Sequence, residues 1–476
     1  MHKINRPFVI SASFFLVLLA AMASPAQTLT TILNFNLRDG ADPPAAPIQA
    51  TDGYLYGTTN GGASTGYGTV FKMSTEGTLT TLYVFCSQPG CADGAEPDAG
   101  LVQGVDGNLY GTTLSGGANF EGAVFKITPG GTLTTLYSFC SLACADGYEP
   151  EAALVQGADG NFYGTTSEGG AGGQGTVFKI TPGGALTTLY SFCSESNCTD
   201  GAQPLSGLIE GTDGSFYGTT YSGGANNYGT IYRITPSGAL TILHSFNLTD
   251  GAYPWAGLVH ATNGSFYGTT VDGGQNGTGT VFRITPAGEL TTIYSFCSQG
   301  GECPDGTLPR AALIQATDGS LYGTTWGGGS NDKGTAFRID LNGALRTLHR
   351  FCSLPNCADG SQIVAGLVQD TDGNLYGTTW SGGAYGAGTI FSLSVRLGPF
   401  VETRPTRGMA GKRVEILGTD LTGTTGVTFN GTPATFTVVS PSLITTTIPA
   451  GATTGAVQVA TPGGTLSSNV PFRVIP

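Results

Sequence analysis

The tetrapeptide Tyr-Gly-Thr-Thr begins at Tyr56, Tyr110, Tyr163, Tyr217, Tyr267, Tyr322 and Tyr376. The copies recur every 50–55 residues, so the chain must fold as an array in which each unit covers its neighbour's apolar face. The second unit is typical. Leu101-Val102-Gln103 reads as a first strand, followed by an Asp106-Gly107 turn and a second strand from Leu109 to Thr113. A Gly-Gly loop leads to a third strand, Ala123 to Thr128, and a Pro-Gly-Gly turn to a fourth, Leu133 to Phe139. Asp-Gly and Gly-Gly supply the positive-φ positions that tight hairpins need. Four antiparallel strands per unit of this length indicate a β-propeller blade. With 77 Gly among 476 residues, a helical fold is excluded, since each Gly costs about 1 kcal/mol in a helix interior.

The ends of the array are out of phase. Segments of the fourth type occur at 29–35, 79–85, 133–139, 186–192, 240–246, 290–296 and 345–351, and the first precedes any complete unit. The seventh unit stops after its third strand, Gly388 to Ser394. The expected fold is all-β: a seven-bladed β-propeller over 28–395, closed when the N-terminal strand pairs with 388–394. Closure protects strand edges that would otherwise template aggregation. Residues 399–476 then show short alternating stretches, such as Arg413–Leu417, Val427–Phe429 and Ala456–Val459. These predict a small Ig-like β-sandwich.

Residues 1–26 read as a signal peptide. Lys3 and Arg6 precede an apolar run from Phe8 to Ala21, and small residues offer cleavage after Ala23 or Ala26. Removing those two cations shifts the net charge from −13 to −15. An acidic chain without clustered Lys or Arg is unsuited to nucleic acid or an anionic membrane. The expected product is an exported monomer, secreted, periplasmic or at the cell surface, with no membrane span after cleavage.

The run Leu154-Val155-Gln156-Gly157-Ala158-Asp159-Gly160-Asn161-Phe162-Tyr163-Gly164-Thr165-Thr166, with Gly175-Thr176-Val177-Phe178-Lys179-Ile180-Thr181, resembles the GloVer tandem repeat. That repeat belongs to bacterial "choice-of-anchor" proteins, and the resemblance implies export without bringing catalytic residues. Residues 411–421 with Val427-Thr428-Phe429-Asn430-Gly431 are similar to the start of an IPT/TIG domain. This resemblance implies a spacer or adhesive module.

All 10 cysteines fall in loops after fourth strands, as Cys86/Cys91, Cys140/Cys144, Cys193/Cys198, Cys297/Cys303 and Cys352/Cys357. The corresponding loops after Phe35 and Phe246 lack both members of the pair. Pairwise presence and absence in an exported chain predicts local disulfides. Two ligands per loop and four His in the chain speak against zinc. No metal or cofactor is expected; calcium at Asp52, Asp106, Asp159, Asp213, Asp318 and Asp372 is the alternative to reading these as hairpin turns. A second series, Asp39, Asp93, Asp146, Asp200, Asp250, Asp305 and Asp359, reads as loop caps.

No nucleophile elbow, P-loop or zinc-protease helix is present. The loops joining strands one to two and three to four are nearly identical and read as structural. On the other face the loops differ, and they carry Trp255, Trp326, Trp380, Tyr221, Tyr228 and Tyr385. Aromatic faces beside polar groups suit stacking on sugar rings; bracing between blades is the alternative. Gln49, Gln103, Gln156, Gln315 and Gln369 share a first-strand position that becomes Glu210 in the fourth unit and His260 in the fifth. A carboxylate facing an imidazole could do acid–base work. The leading expectation is a non-enzymatic recognition or adhesion protein binding a glycan or cell-surface protein. The alternatives are an extracellular lyase or hydrolase using Glu210 and His260, and a purely structural surface component.

Overall fold

The computed structural model describes residues 27–141, 143–329 and 331–475; the leader expected over 1–26 lies outside them. Each Tyr-Gly-Thr-Thr forms most of the second strand of a four-stranded antiparallel sheet, and seven such sheets stand in a propeller-like arrangement among the described residues. Six are contiguous in sequence. The seventh contains Leu367–Gln369, Leu375–Thr379 and Thr389–Ser394, and its fourth strand is Thr28–Asn34 from the start of the chain. In that pairing Thr30 faces Ser392 and Thr31 faces Phe391.

The repeated tetrapeptide has a physical reason at every position. Its Tyr hydroxyl donates to the Asp of the preceding turn, at 2.8 Å for Tyr110–Asp106 and 2.9 Å for Tyr163–Asp159; in the fifth sheet the turn residue is Asn263, whose amide donates to the Tyr267 hydroxyl at 2.9 Å. Its Gly leaves room for the Phe of the third strand. A Cβ on Gly164 would sit 2.6 Å from Phe178 Cζ and 2.8 Å from Leu154 Cδ2. The second Thr bonds across to the third strand, as in the 2.9 Å contact between the hydroxyls of Thr166 and Thr176.

The first Thr joins one sheet to the next. Thr58 donates to the Ala99 carbonyl at 2.8 Å and Thr165 to that of Ser206 at 2.9 Å. Thr112, Thr219, Thr269 and Thr324 reach Ala152, Ala256, Ala311 and Ala365 in the same way. Thr378 of the seventh sheet reaches back to Pro43, ahead of the first sheet, at 3.3 Å. Aromatic contacts follow the same order, from Phe85–Phe125 at 5.1 Å to Phe351–Phe391 at 5.1 Å and Phe35–Phe71 at 5.6 Å. Phe35 directly follows the N-terminal strand.

Residues 399–475 form two further four-stranded sheets around Val414, Ile416, Val427, Phe429, Ile444, Val457 and Phe472. This domain rests on the face carrying the Asp-Gly turns. Arg404 donates to Gln103 Oε1 and to the Gln49 carbonyl, each at 2.9 Å. Arg407 pairs with Glu210, Arg473 donates to the Thr212 carbonyl, and Thr419 meets Thr371 at 2.8 Å. These partners come from the first, second, fourth and seventh sheets, so the domain lies across that face.

Beneath it, Asp370 occupies a position that is Gly or Ala in the other six sheets. It is 1% exposed, and its Oδ2 has no hydrogen-bond partner among the described residues. Burial, and then the Asp372 carboxylate, push its pKa up to about 7.

Two predictions follow from these contacts. Gly164→Ala should lower unfolding free energy by about 1–3 kcal/mol, the usual cost of overpacking, measured by denaturant titration. Asp370 keeps its proton in the folded chain to about pH 7 but releases it near pH 4 when unfolded. Its contribution to stability is therefore complete below pH 4 and lost as pH rises through 7. The melting temperature of Asp370→Asn should gain on wild type from pH 5 to pH 8 by several degrees; a constant difference would contradict the assignment.

Candidate functional site

At the end of the first strands away from the C-terminal domain lies an open cavity of about 480 Å³. Seven equivalent segments line it, one per sheet: residues 44–46, 98–100, 151–153, 205–207, 255–257, 310–312 and 364–366. Each begins one residue after a Pro, or after Ile363 in the seventh sheet. The residues in that first place are Pro44, Asp98, Glu151, Leu205, Trp255, Arg310 and Val364. A repeated scaffold thus presents seven unlike side chains at one level.

The backbone that sets this level is repeated closely. The residue before each Pro is left-handed, with φ of 55° at Glu96, 56° at Tyr253 and 53° at Leu308. For a non-Gly residue this costs of order 1–3 kcal/mol unless the surroundings impose it. Here they do. The carbonyl of that residue accepts from the amide after Tyr-Gly-Thr-Thr, at 2.9 Å for Leu114–Glu96 and 3.1 Å for Trp326–Leu308. Its own amide donates to the preceding sheet, at 3.0 Å for Glu96–Tyr67. The first-sheet equivalent, Asp42, donates to Ala387 of the seventh at 3.0 Å.

The structure places Trp255, Trp326 and Trp380 in this one cavity. Two of them are already engaged. The Arg310 guanidinium carbon is 5.2 Å from the Trp255 ring centroid and 4.6 Å from that of Trp326. Asp98 and Glu151, on adjacent sheets, form an acidic part of the wall. Burial, then the Glu151 charge, push the pKa of Asp98 up to about 7. Burial likewise raises that of Glu151. Asn60 donates to Asp98 Oδ1 at 3.1 Å.

Of the other residues singled out by sequence, Tyr221 stacks on Tyr253 at 5.1 Å and meets Trp255 edge-on at 5.5 Å. Tyr228 contacts Tyr253 at 5.7 Å. Neither lines the cavity; Tyr221 packs directly against Trp255, and Tyr228 packs against Tyr253. Tyr385 is 65% exposed on a loop and does not line it either.

Glu210 and His260 each have another partner in the structure. Glu210 is taken up by Arg407. His260 lies flat on Phe266, ring centroids 4.5 Å apart, and burial holds its imidazole below the ordinary value. No hydrogen bond joins the two among the described residues, and both are at the strand ends toward the docked domain. The Gln residues at the same position are rungs between sheets: Gln103 Oε1 accepts from Thr51 N at 2.9 Å, and Gln49 Oε1 from Thr371 N at 3.3 Å.

The second Asp series caps loops. Asp93 Oδ2 accepts from Ser87 N, Ser87 Oγ and Tyr83 Oη at 2.8–2.9 Å. All five expected disulfides are formed: Cys86–Cys91, Cys140–Cys144, Cys193–Cys198, Cys297–Cys303 and Cys352–Cys357. Where they are absent, Asn36 and Asn247 tie the shorter loop to Asp39 and Asp250. Of the cavity's ring of side chains the sequence reading singled out Trp255 but missed Arg310 and the shared position. The signal was present in the residue after each Pro, the least uniform place in an otherwise uniform segment.

Fold and cavity together define a repeat-built, propeller-like β-protein with a variable mouth. The chain belongs to the Gloeobacter/Verrucomicrobia repeat family, whose profile matches residues 19–227 and again 204–438. No curated protein matches it. Among solved structures it is similar to a putative 6-phosphogluconolactonase from Bacteroides uniformis, at 17% identity over 68% of this chain and 91% of that one, with a TM-score of 0.42. A second protein so described, from Bacteroides fragilis, gives 19% identity over 71% and 92%, with a TM-score of 0.40. A putative oxidoreductase from Thermus thermophilus gives 14% over 78% and 100%, with a TM-score of 0.39. Likenesses this distant carry no argument about activity. No helix among the described residues is long and apolar enough to cross a membrane. The repeat family and the five disulfides fit an extracellular, cell-surface protein.

Proposed function

We propose that this is an exported, non-enzymatic recognition or adhesion protein, a closed seven-bladed propeller that binds a glycan or surface ligand in the cavity. The observation that carries the reading is the ring of Pro44, Asp98, Glu151, Leu205, Trp255, Arg310 and Val364. Packing alone would repeat one side chain at a repeated position, as it repeats the Tyr and Thr residues. A mouth combining tryptophan, guanidinium and carboxyl groups is suited to a polyhydroxylated ring, which has apolar faces and hydrogen-bonding edges. The C-terminal module, read as IPT/TIG-like, covers the other face and leaves this one open.

A second reading is favoured by one observation: Asp98 and Glu151 are two carboxyls at one cavity, and Asp98 is pushed up to about 7. Paired carboxyls of unequal acidity are the working groups of glycoside hydrolysis. An extracellular carbohydrate-active enzyme would therefore use these two rather than Glu210 and His260.

A glycan array probed with the processed protein tests the leading reading. Selective binding that falls at least tenfold in Trp380→Ala is expected, without release of reducing ends from the bound glycan. A blank array would count against the glycan reading, and turnover abolished by Glu151→Gln would favour the enzyme.

A further inference from the structure

Arg310 shares a buried Nε without a hydrogen-bond partner with Arg283 of the fifth sheet; what sets it apart is its place between two tryptophans. Arg233 and Arg338 pair with the turn carboxylates Asp213 and Asp318, at 2.8 and 3.1 Å. Arg310 makes no ion pair among the described residues, and its Nε is buried without a hydrogen-bond partner. The rings against it are two indoles, Trp255 from the fifth sheet and Trp326 from the sixth, and the Asp272 carboxylate lies near enough to interact with its charge without forming an ion pair. A guanidinium held in this way is pre-oriented and partly dehydrated, and with Nε buried its two terminal amino groups are the fork left to meet a ligand. That fork matches the two oxygens of a carboxylate. The same contacts bear on neutral sugars. Trp255 and Trp326 already hold the cation, so Trp380 is the tryptophan of the cavity without a ring or cation contact among the described residues.

From this geometry we propose that the cavity takes a saccharide unit bearing a carboxylate, with the carboxylate on Arg310, a ring face on Trp380 and hydroxyl groups toward Asp98 and Glu151. The proposal rests on the glycan reading above and adds the charge class of the ligand. A uronic acid and a sialic acid share this chemistry.

The acidic part of the wall makes binding depend on pH. Asp98 faces Glu151, Glu96 and the Asn60 amide, and burial with the Glu151 charge raises its pKa to about 7. Below that pH Asp98 is neutral, and the wall repels an anion less. Affinity for the acidic sugar should therefore rise as pH falls from 8 to 6, whereas affinity for an uncharged sugar should not.

The experiment compares binding of the processed protein to polygalacturonate and its methyl ester, and to sialyllactose and lactose. The methyl ester removes the charge while keeping the sugar ring. One acidic member should bind at least tenfold more tightly than its neutral counterpart, and which one it is distinguishes uronate from sialate. Arg310→Gln should abolish that preference, and Trp380→Ala should weaken acidic and neutral forms alike. Melting curves of both variants check that they fold.

Equal binding of acidic and neutral members would overturn the carboxylate assignment and leave the glycan reading standing. So would a preference that survives in folded Arg310→Gln. If none of the four probes binds, the assignment fails, and the broader array then decides separately whether any glycan is bound.

Discussion

The hydroxyl of the first Thr in each Tyr-Gly-Thr-Thr is the contact on which the rest of the structure depends. It leaves its own sheet and donates to a carbonyl in the segment that leads into the next sheet's first strand. That segment is the one that lines the cavity. Such a bond contributes roughly 1 kcal/mol net, yet leaving a buried carbonyl unpaired costs about 1–3 kcal/mol. The segment is thus tied to one height in every repeat. The Phe-to-Phe contacts between neighbouring sheets run in the same direction and supply the apolar burial. Thr378 of the seventh sheet likewise reaches Pro43, and Phe35 packs on Phe71.

A consequence is a division of labour between the two ends of the first strands. At one end the Gln rungs, the Asp-Gly turns and Asp370 lie at or near the face on which the C-terminal domain rests, held by Arg404, Arg407 and Arg473. Glu210 stands where five other sheets have Gln, and it meets Arg407. At the other end the tight backbone frame leaves one side chain per sheet free to differ. Its differences are chemical, with acid on the second and third sheets, an aromatic on the fifth and a cation on the sixth.

Much of the fold was legible because its signals are local. Asp106-Gly107 and its equivalents mark hairpins, the pairwise loss of Cys marks disulfides, and the phase of the fourth strands identifies Thr28–Asn34 as the partner of Thr389–Ser394. The site was legible only in part. Trp255, Trp326 and Trp380 stood out as the chain's tryptophans, but their convergence depends on ring geometry between segments up to 125 residues apart in number. That two of them grip Arg310 could not be read from spacing. Glu210 and His260 looked like a pair because they break the same pattern. The pattern they break is a structural rung, and Arg407, which claims Glu210, lies 197 residues away.

Hydrogen–deuterium exchange of the segment spanning Thr28–Asn34 tests the circular arrangement most directly. If this strand completes the seventh sheet, its amides should be protected as strongly as those of Leu240–Ser245, the fourth strand of an internal sheet. Exchange within seconds, as for an unpaired chain terminus, while Leu240–Ser245 stays protected would contradict the account.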